Sequence, residues 1–213
     1  MQSKSIFITG TDTGVGKTYV AKAIIYQLRL KGYKVAAFKP IVSGGTEDLD
    51  VLGAENVYVF KHPLAPSVAA RLEHRSISIN KILSRYKQLC QENDYVIVEG
   101  IGGLLVPIKK GYFVADLIKD MAAPTIIVAR PWLGTINHTL LTVKYAQNCG
   151  IKILGIVFNE TQKTKRGICE RTNPKEIERE ARVPILGWVK YGKSYLVSFY
   201  PDAGLAKRRS VNN

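Results

Sequence analysis

Residues 5–18 read Ser5-Ile6-Phe7-Ile8-Thr9-Gly10-Thr11-Asp12-Thr13-Gly14-Val15-Gly16-Lys17-Thr18. An apolar run ends in small, turn-forming residues, and Gly-Lys-Thr then leads into an apolar-periodic segment over residues 19–30. This order predicts a strand, a phosphate-binding loop and a helix. Glycines allow backbone N–H groups to surround phosphate oxygens, and the helix directs the positive end of its dipole at the anion.

The loop departs from the strict phosphate-loop pattern at one position. That pattern requires a glycine five residues before Gly16, where the chain has Thr11, and Gly10 lies one position too early. Lys17 adds a mobile positive charge, and the hydroxyl of Thr18 can bind Mg²⁺. Because a predicted strand precedes the loop and a predicted helix follows it, the stretch indicates nucleotide phosphate binding rather than an incidental glycine-rich turn.

The composition is that of a folded protein. The chain has 213 residues, of which 46% are hydrophobic and 23% are charged, and this balance is ordinary for globular proteins. We expect a single domain over residues 1–213, long enough to bury a substantial core. The first apolar run is too short for a signal peptide, and no later run has the length of a membrane span. We therefore expect a cytoplasmic protein with no membrane partner.

The cysteines and the net charge narrow the possible functions. Cys90, Cys149 and Cys169 are isolated and lack metal-ligand spacing, which indicates cytosolic thiols. The formal net charge is +14, with the densest basic groups at residues 163–166 and 207–209. Neither group contains the interleaved aromatic residues of a surface that stacks single-stranded nucleic acid. We therefore interpret the charge as solvated surface and expect no nucleic-acid partner.

Apolar runs alternate with helical patterns along the whole chain, which predicts βα units and a mostly parallel sheet in an α/β fold of three layers. The predicted strands are residues 5–9, 35–39, 95–99, 125–129, 153–159 and 185–189, and the predicted helices are residues 17–31, 79–92, 113–121, 135–149 and 174–182. Asn173-Pro174 indicates a helix start, and Gly32 and Gly150 indicate helix ends. Periodicity is lost from about residue 192, so we expect an irregular tail there.

Polar or glycine-rich residues follow several predicted strands. In open parallel sheets, ligands collect at the carboxyl ends of the strands. The segments at those ends are the phosphate loop, Lys39-Pro40-Ile41-Val42-Ser43-Gly44-Gly45, Glu99-Gly100-Ile101-Gly102-Gly103 and Asn159-Glu160. We therefore expect these segments to meet at one site.

Two charged residues at these strand ends are candidates for phosphate chemistry. Glu99 can hold Mg²⁺ directly or through water, or else it caps a helix or forms a salt bridge. The glycines that follow it favour the metal role, because they permit close approach to a ligand. Lys39 either neutralises the charge that develops during phosphoryl transfer or is an exposed lysine, and the pattern alone does not decide between these roles.

Four motifs together resemble those of the dethiobiotin synthetase family, a branch of the P-loop NTPases. They are residues 9–18, Lys39-Pro40 with Ser43-Gly44, Val98-Glu99-Gly100-Ile101-Gly102-Gly103, and Leu133-Gly134-Thr135-Ile136-Asn137-His138. The resemblance extends in matching order from about residue 6 to residue 187. The family usually has alanine in place of Ile101, and the chain from residue 190 onward matches poorly.

The resemblance implies a reaction and its substrates. The family makes the ureido ring of dethiobiotin from 7,8-diaminopelargonic acid, CO₂ and ATP with Mg²⁺. The diamine forms a carbamate, ATP phosphorylates the carbamate, and the second amine closes the ring with release of phosphate. The physical logic is consistent, because two lysines, a helix N-terminus and Mg²⁺ offset the repulsion between two anions.

The resemblance also implies roles for individual residues. The residues that would bind the nucleotide are Gly14, Val15, Gly16, Lys17, Thr18, Tyr19, Asp50, Glu99, Gly100, Ile101, Gly102, Asn159 and Glu160. Thr18, Asp50 and Glu99 would surround Mg²⁺, with Glu47 and Asp48 as rivals of Asp50. Lys17 and Lys39 would act on the carbamate and the transferred phosphoryl group. Asn159 would read the adenine edge.

The remaining implied roles concern the diamine and a second subunit. Ser43 and Gly102 would hold the diamine or its carbamate. The segment around Asn137 opens a helix, with Thr135 as its N-cap. In the family, this helix start lies at a homodimer interface and binds the carboxylate tail of the substrate held by the partner subunit. A helix N-terminus suits a carboxylate for the same reason that the loop suits phosphate.

Three other functions compete with this interpretation. An amidoligase of the cobyrinic acid type shares a similar loop but has an additional glutaminase domain, for which this chain is too short. A partitioning or cell-division ATPase has a lysine near the start of the loop, where this chain has Asp12. A nucleic-acid-binding module rests on the basic charge alone.

Overall fold

A computed structural model describes residues 4–163, 167–193 and 196–197. The strands of these residues are β1 (Lys4–Gly10), β2 (Val35–Phe38), β3 (Ile41–Ser43), β4 (Tyr58–Phe60), β5 (Tyr95–Glu99), β6 (Pro107–Lys109), β7 (Tyr112–Phe113), β8 (Thr125–Ala129), β9 (Ile153–Asn159), β10 (Ile185–Val189) and β11 (Leu196–Val197). The helices are α1 (Lys17–Leu30), α2 (Glu47–Leu52), α3 (Pro66–Leu72), α4 (Ile79–Glu92), α5 (Val114–Met121), α6 (Thr135–Asn148) and α7 (Ile168–Ala181).

The main sheet has the strand order β11-β10-β9-β8-β1-β5-β2. Only β11 among these strands is antiparallel to its neighbour, and the other six are parallel. All six strands predicted from the sequence form, each within one residue of its predicted bounds. The central strand β1 pairs with β5 and β8 at the same time, with Ile8 opposite both Glu99 and Ile126. The carboxyl ends of these strands are therefore neighbours.

Helices cover both faces of the sheet, as predicted. Along β1, Ile6 and Ile8 belong to a buried cluster with the apolar residues of α1, whereas Phe7 belongs to a cluster with α4 and α5. A third cluster packs α6 and α7 against β8 and β9. Because both faces are covered, the strands are continuous apolar runs rather than alternating ones. The result is the three-layer α/β arrangement.

The packing of α1 predicts a large effect for one truncation. Leu28 is fully buried, with 0% exposed, in the cluster between α1 and the sheet. Leu28→Ala should lower the free energy of unfolding by about 2–5 kcal/mol, because it removes buried methyl groups and leaves a cavity. Leu30 of the same helix is 69% exposed, and Leu30→Ala should change it by less than about 0.5 kcal/mol. Urea unfolding of both variants checks this; equal losses would contradict the assigned helix face.

One predicted helix start and one predicted N-cap are wrong. The last helix begins at Ile168 rather than at Pro174, which lies inside α7. Helix formation upstream is supported by Glu170, whose Oε2 accepts a hydrogen bond from the Gly167 N–H at 2.6 Å. At the start of α6 the N-cap is Gly134, in the left-handed region with φ 92°, and Thr135 is the first helical residue. A side chain at the N-cap is therefore not needed there.

Several short helices and strands were not predicted from the sequence. They are helices α2 and α3, the paired strands β3–β4 and β6–β7, and strand β11. The expected irregular tail from residue 192 is therefore wrong for Val197, which pairs with Trp188, while residues 198–213 lie outside the described part of the chain. The single domain over residues 1–213 stays a prediction. Gly32 and Gly150 end α1 and α6 with positive φ, as predicted.

Candidate active site

A cavity of about 660 Å³ opens at the carboxyl ends of the central strands. The predicted site residues that line it are Gly14, Gly16, Lys17, Thr18, Tyr19, Lys39, Ser43, Glu99, Gly100, Ile101, Gly102, Asn159 and Glu160. Three predicted site residues, Val15, Asp50 and Asn137, are not among its lining residues. Most of the residues that were expected at the strand ends therefore lie in one place, as predicted.

The phosphate loop connects β1 to α1 and turns through two glycines in the left-handed region. Gly14 has φ 70° and Gly16 has φ 86°, values that residues with a side chain rarely adopt. A Cβ at residue 16 would also lie 1.9 Å from Nδ2 of Asn159. Helix α1 begins at Lys17, and the first N–H groups of a helix have no partner within it. The loop can therefore surround an anion with backbone donors.

Lys17 lies at the base of this loop and is 7% exposed. Its Nζ donates a hydrogen bond to the carbonyl oxygen of Asp12 at 3.2 Å. Burial lowers the pKa of the Lys17 ammonium below its ordinary value, and the negative charge of Glu99 partly opposes this. An arriving phosphate would give this poorly solvated cation a charged partner.

Glu99 is the centre of the polar cluster at the bottom of the cavity. It is 2% exposed, and its Oε1 accepts hydrogen bonds from Oγ1 of Thr18 at 2.8 Å and from Nζ of Lys39 at 2.9 Å. Burial raises the pKa of this carboxyl, although the charge of Lys39 acts in the opposite direction. Its Oε2 is buried and has no hydrogen-bond partner among the described residues.

Lys39 joins two carboxylates. Besides Glu99, its ammonium contacts Oδ2 of Asp48, and Lys39 itself is only 5% exposed. Burial alone would raise the pKa of Asp48, but the hydrogen bond and charge of Lys39 outweigh it and hold the pKa below its ordinary value. Of the two roles that the sequence left open for Lys39, an exposed lysine is therefore excluded.

The oxygen atoms around Thr18 fit a divalent cation. Its Oγ1 lies 2.8 Å from Glu99 Oε1 and 3.0 Å from Asp48 Oδ1, yet a hydroxyl has one proton and can donate to one acceptor at a time. Oε2 of Glu99, which has no hydrogen-bond partner in the described part of the chain, adds a further oxygen. The described residues contain no group of three or more His, Cys, Asp or Glu suited to a metal. Mg²⁺ needs no such cage, since it uses one or two carboxylates with phosphates and water.

Asp48, and not Asp50, is the acid of α2 that reaches this cluster. The prediction of Asp50 as a metal ligand and nucleotide contact is therefore not supported, because Asp50 is exposed and does not line the cavity. Successive helical residues are separated by about 100°, so residues two apart point in nearly opposite directions. With Asp48 turned towards Thr18 and Lys39, Asp50 necessarily points away.

This placement gives a testable contrast between two neighbouring aspartates. If the oxygens around Thr18 hold Mg²⁺, Asp48→Asn should raise the Mg²⁺ concentration needed for half-maximal turnover by about tenfold, because it removes a negative oxygen from this group. Asp50→Asn, the matched control, should leave that concentration unchanged. Titrating turnover with Mg²⁺ for both variants checks the assignment, which fails if Asp50→Asn has the larger effect.

Asn159 and the glycine-rich segment after β5 also line the cavity. Asn159 is 2% exposed, and its Nδ2 donates a hydrogen bond to the Val15 carbonyl oxygen at 3.0 Å. Gly102 has φ 58°. Ile101, where the family usually has alanine, packs against the core cluster that contains Phe7. Its larger side chain therefore has room in the core.

Arg130 is not among the residues predicted from the sequence. It follows β8, and its Nη2 lies 3.0 Å from Oδ2 of Asp12, whose other oxygen accepts the N–H of Thr13 at 2.7 Å. This ion pair ties the phosphate loop to the end of β8. The strand-end rule would have found Arg130 if it had been applied to the predicted strand over residues 125–129. Tyr191, which lines the cavity after β10, could have been found in the same way.

Asn137 lies apart from these residues. It is exposed in the first turn of α6 and does not line the cavity of its own chain. Its predicted role in the site of a partner subunit is not tested by a single chain and stays a prediction.

Among the described residues, no helix is both long enough and apolar enough to cross a membrane.

Sequence comparisons give a consistent result over most of the chain. A family model described as an AAA domain matches residues 4–195. A protein of Bacillus licheniformis named ATP-dependent dethiobiotin synthetase is 42% identical over 199 residues, covering 86% of this chain and 84% of the relative. Proteins of the same name from Methanococcus vannielii (42% identity, 90% and 96% coverage) and Methanocaldococcus jannaschii (37% identity, 91% and 97% coverage) are also similar.

Solved structures with a similar fold have much lower sequence identity. The MinC:MinD cell division complex of Aquifex aeolicus matches with a TM-score of 0.59 and 20% identity over 88% of this chain and 81% of that one. The cell division protein FtsY of Thermotoga maritima matches with a TM-score of 0.58 and 18% identity, covering 95% and 67% of the two chains. At this identity the likeness shows the fold alone.

Proposed function

The chain belongs to the ATP-dependent dethiobiotin synthetase family, and we propose that it carboxylates 7,8-diaminopelargonic acid with CO₂ and closes the ureido ring of dethiobiotin. ATP is converted to ADP and phosphate. The observation that carries this proposal is the meeting of Lys17, Lys39 and Glu99 in one cavity below the phosphate loop. The relatives of the same name, at 37–43% identity over most of the chain, support it. We place the reaction in the cytoplasm, because ATP is its co-substrate.

The reaction has three steps with a simple balance of atoms. One amine of the diamine attacks CO₂ to form a carbamate and loses a proton. A carbamate oxygen then attacks the γ-phosphorus of ATP, the bond to the ADP oxygen breaks, and a carbamic-phosphoric anhydride forms. Finally the second amine attacks the carbonyl carbon and loses a proton, phosphate leaves with the former carbamate oxygen, and the ring closes.

The central difficulty is to bring together two anions, the carbamate and the γ-phosphate. Lys17 and the N–H groups of the loop and of α1 would hold the triphosphate from one side. Lys39, which is buried beside Glu99, is the second cation and would reach the group being transferred. Fixed positive groups in a site with little water stabilise the developing charge without first reorganising. Ser43 and the Gly102 region would hold the carbamate.

We propose that Mg²⁺ is bound by Thr18, Glu99 and Asp48. The two carboxylates and one hydroxyl converge there, and Oε2 of Glu99 lacks a hydrogen-bond partner among the described residues. When bound, the cation would neutralise charge on the phosphate oxygens. Lys39 contacts the same two carboxylates, so a cation that takes over these oxygens would release the ammonium towards the substrate.

The carbamate step is tested by following one oxygen atom. With ¹⁸O-labelled bicarbonate, diamine and MgATP in a single turnover, the released phosphate should carry one labelled oxygen, because the carbamate oxygen becomes a phosphate oxygen. Omitting the diamine should abolish both labelled and unlabelled phosphate above background. Unlabelled phosphate in the complete mixture, measured by mass, would contradict phosphorylation of a carbamate and exclude this order of steps.

We also propose that the enzyme is a homodimer in which Asn137 serves the partner's site. Asn137 is exposed and does not line the cavity of its own chain. Two leucines beside it, Leu133 and Leu141, are 88% and 62% exposed. Exposed apolar residues near a helix start are consistent with a protein interface. The free N–H groups of that helix start suit the carboxylate tail of the diamine.

Mixing two inactive variants tests this shared site. Lys39→Met and Asn137→Ala chains should regain about a quarter of wild-type activity after mixing and exchange, because half of the dimers are then hybrids with one intact site. Activity is measured at a diamine concentration below saturation. If Asn137 instead acts within its own chain, no hybrid has an intact site and mixing restores nothing. Light scattering of the wild-type chain reports the dimer separately.

A further inference from the structure

The side chain of Asn159 is fastened to the phosphate loop. Its Nδ2 donates a hydrogen bond to the carbonyl oxygen of Val15 at 3.0 Å, and Asn159 is 2% exposed at the end of β9. The same amide lies directly against Gly16, since a Cβ there would be 1.9 Å from Nδ2. The side chain of Asn159 therefore occupies the space that glycine leaves open in the loop.

This contact determines the orientation of one peptide group. The Val15 carbonyl and the Gly16 N–H belong to the same trans peptide unit, so they point in opposite directions. Holding the carbonyl at Asn159 directs the Gly16 N–H away from Asn159. Gly16 has φ 86° and no Cβ, and glycine adopts positive and negative φ about equally well. Gly16 itself therefore does not fix the orientation of this peptide.

We propose that Asn159 is a positioning residue that locks the Val15–Gly16 peptide, so that the Gly16 N–H is presented to the nucleotide phosphates. The inference rests on the proposed function and gives Asn159 a role besides the adenine recognition expected from the sequence. Without the hydrogen bond from Asn159, the Val15–Gly16 peptide populates two orientations, of which one presents the Gly16 N–H to phosphate. Phosphate affinity then falls in proportion to the competent fraction.

Inorganic tripolyphosphate separates loop positioning from base recognition, because it has phosphates but no base. Calorimetric titration with Mg²⁺ present should show that Asn159→Ala lowers the affinity for ATP and the affinity for tripolyphosphate by a similar factor, about tenfold. Weaker ATP binding with unchanged tripolyphosphate binding would overturn the proposal and leave base recognition alone. A wild-type chain that does not bind tripolyphosphate would overturn it as well. Neither titration requires dethiobiotin synthesis, so a failure of the proposed function would be distinguishable.

The chain offers a matched control. Asn173 is also a buried asparagine, 7% exposed, whose Nδ2 donates to a backbone carbonyl, that of Pro131 at 3.0 Å, but it does not line the cavity. Asn173→Ala should leave tripolyphosphate affinity unchanged. Asn159→Asp keeps the shape of the side chain but places an oxygen against the Val15 carbonyl. It should therefore bind tripolyphosphate at least as weakly as Asn159→Ala does. Wild-type affinity in Asn159→Asp would contradict the lock, and thermal unfolding reports whether each variant is folded.

Discussion

Lys39→Met should lower kcat for dethiobiotin formation by about 10³-fold while changing the KM for ATP little, since a single preorganised charge at the transferred group is worth this much. Lys39 is 5% exposed and lies 2.9 Å from Glu99, in the cavity that the phosphate loop also lines. The loop and α1 would still hold the triphosphate. Stopped assays of product at saturating ATP and diamine measure the change.

The same substitution also leaves a buried carboxylate without its cation. Breaking a buried ion pair by removing one partner costs about 3–5 kcal/mol of stability, so unfolding and ADP binding must be measured beside turnover. Lys34→Met is the matched control, because Lys34 is an exposed lysine that precedes β2. A folded Lys39→Met chain that binds ADP and keeps more than a tenth of wild-type turnover would remove Lys39 from the mechanism.

Lys17→Met should lower kcat/KM for ATP by about 10³-fold, and, unlike Lys39→Met, it should weaken the binding of both ATP and ADP. Lys17 is 7% exposed, and its Nζ has one backbone acceptor, the carbonyl of Asp12. The triphosphate is therefore the natural counter-charge of this ammonium. Calorimetric titration with ADP and steady-state kinetics with ATP separate the two lysines.

The expected change in stability on Lys17→Met is opposite in sign to that on Lys39→Met. Burial lowers the pKa of the Lys17 ammonium below its ordinary value, which means that folding disfavours the charged form of this side chain. Lys17→Met should therefore unfold at the same or a higher urea concentration than wild type without nucleotide. Lys22→Met, at an exposed lysine of the same helix, should alter neither stability nor binding. Unchanged ADP affinity in Lys17→Met would contradict the assigned role.

The main strands and helices of the fold, and the location of the candidate site, could be predicted from the sequence. Strands buried on both faces are continuous apolar runs, so β1, β5 and β9 could be recognised without tertiary information. Ligands collect where parallel strands end, and this rule predicted that Lys39, Glu99 and Asn159 lie near the phosphate loop. The left-handed glycines of that loop follow from the same local chemistry.

Other features depend on contacts that a linear pattern does not contain. Glu47, Asp48 and Asp50 are three carboxylates of one short helix, and only the orientation of α2 against Thr18 selects Asp48. The start of α7 was misplaced because a proline inside a helix and a proline in its first turn look alike in sequence. The bond between Asn159 and Val15 joins residues 144 positions apart.

Formation of dethiobiotin by the purified chain is the most direct test of the central claim. The chain is incubated with 7,8-diaminopelargonic acid, bicarbonate and MgATP, and the product is identified by mass, with ADP measured in parallel. We expect dethiobiotin and ADP in equal amounts, and neither without the diamine. ATP hydrolysis that proceeds without the diamine and gives no dethiobiotin, together with nucleotide-dependent binding to DNA or membranes, would contradict the account.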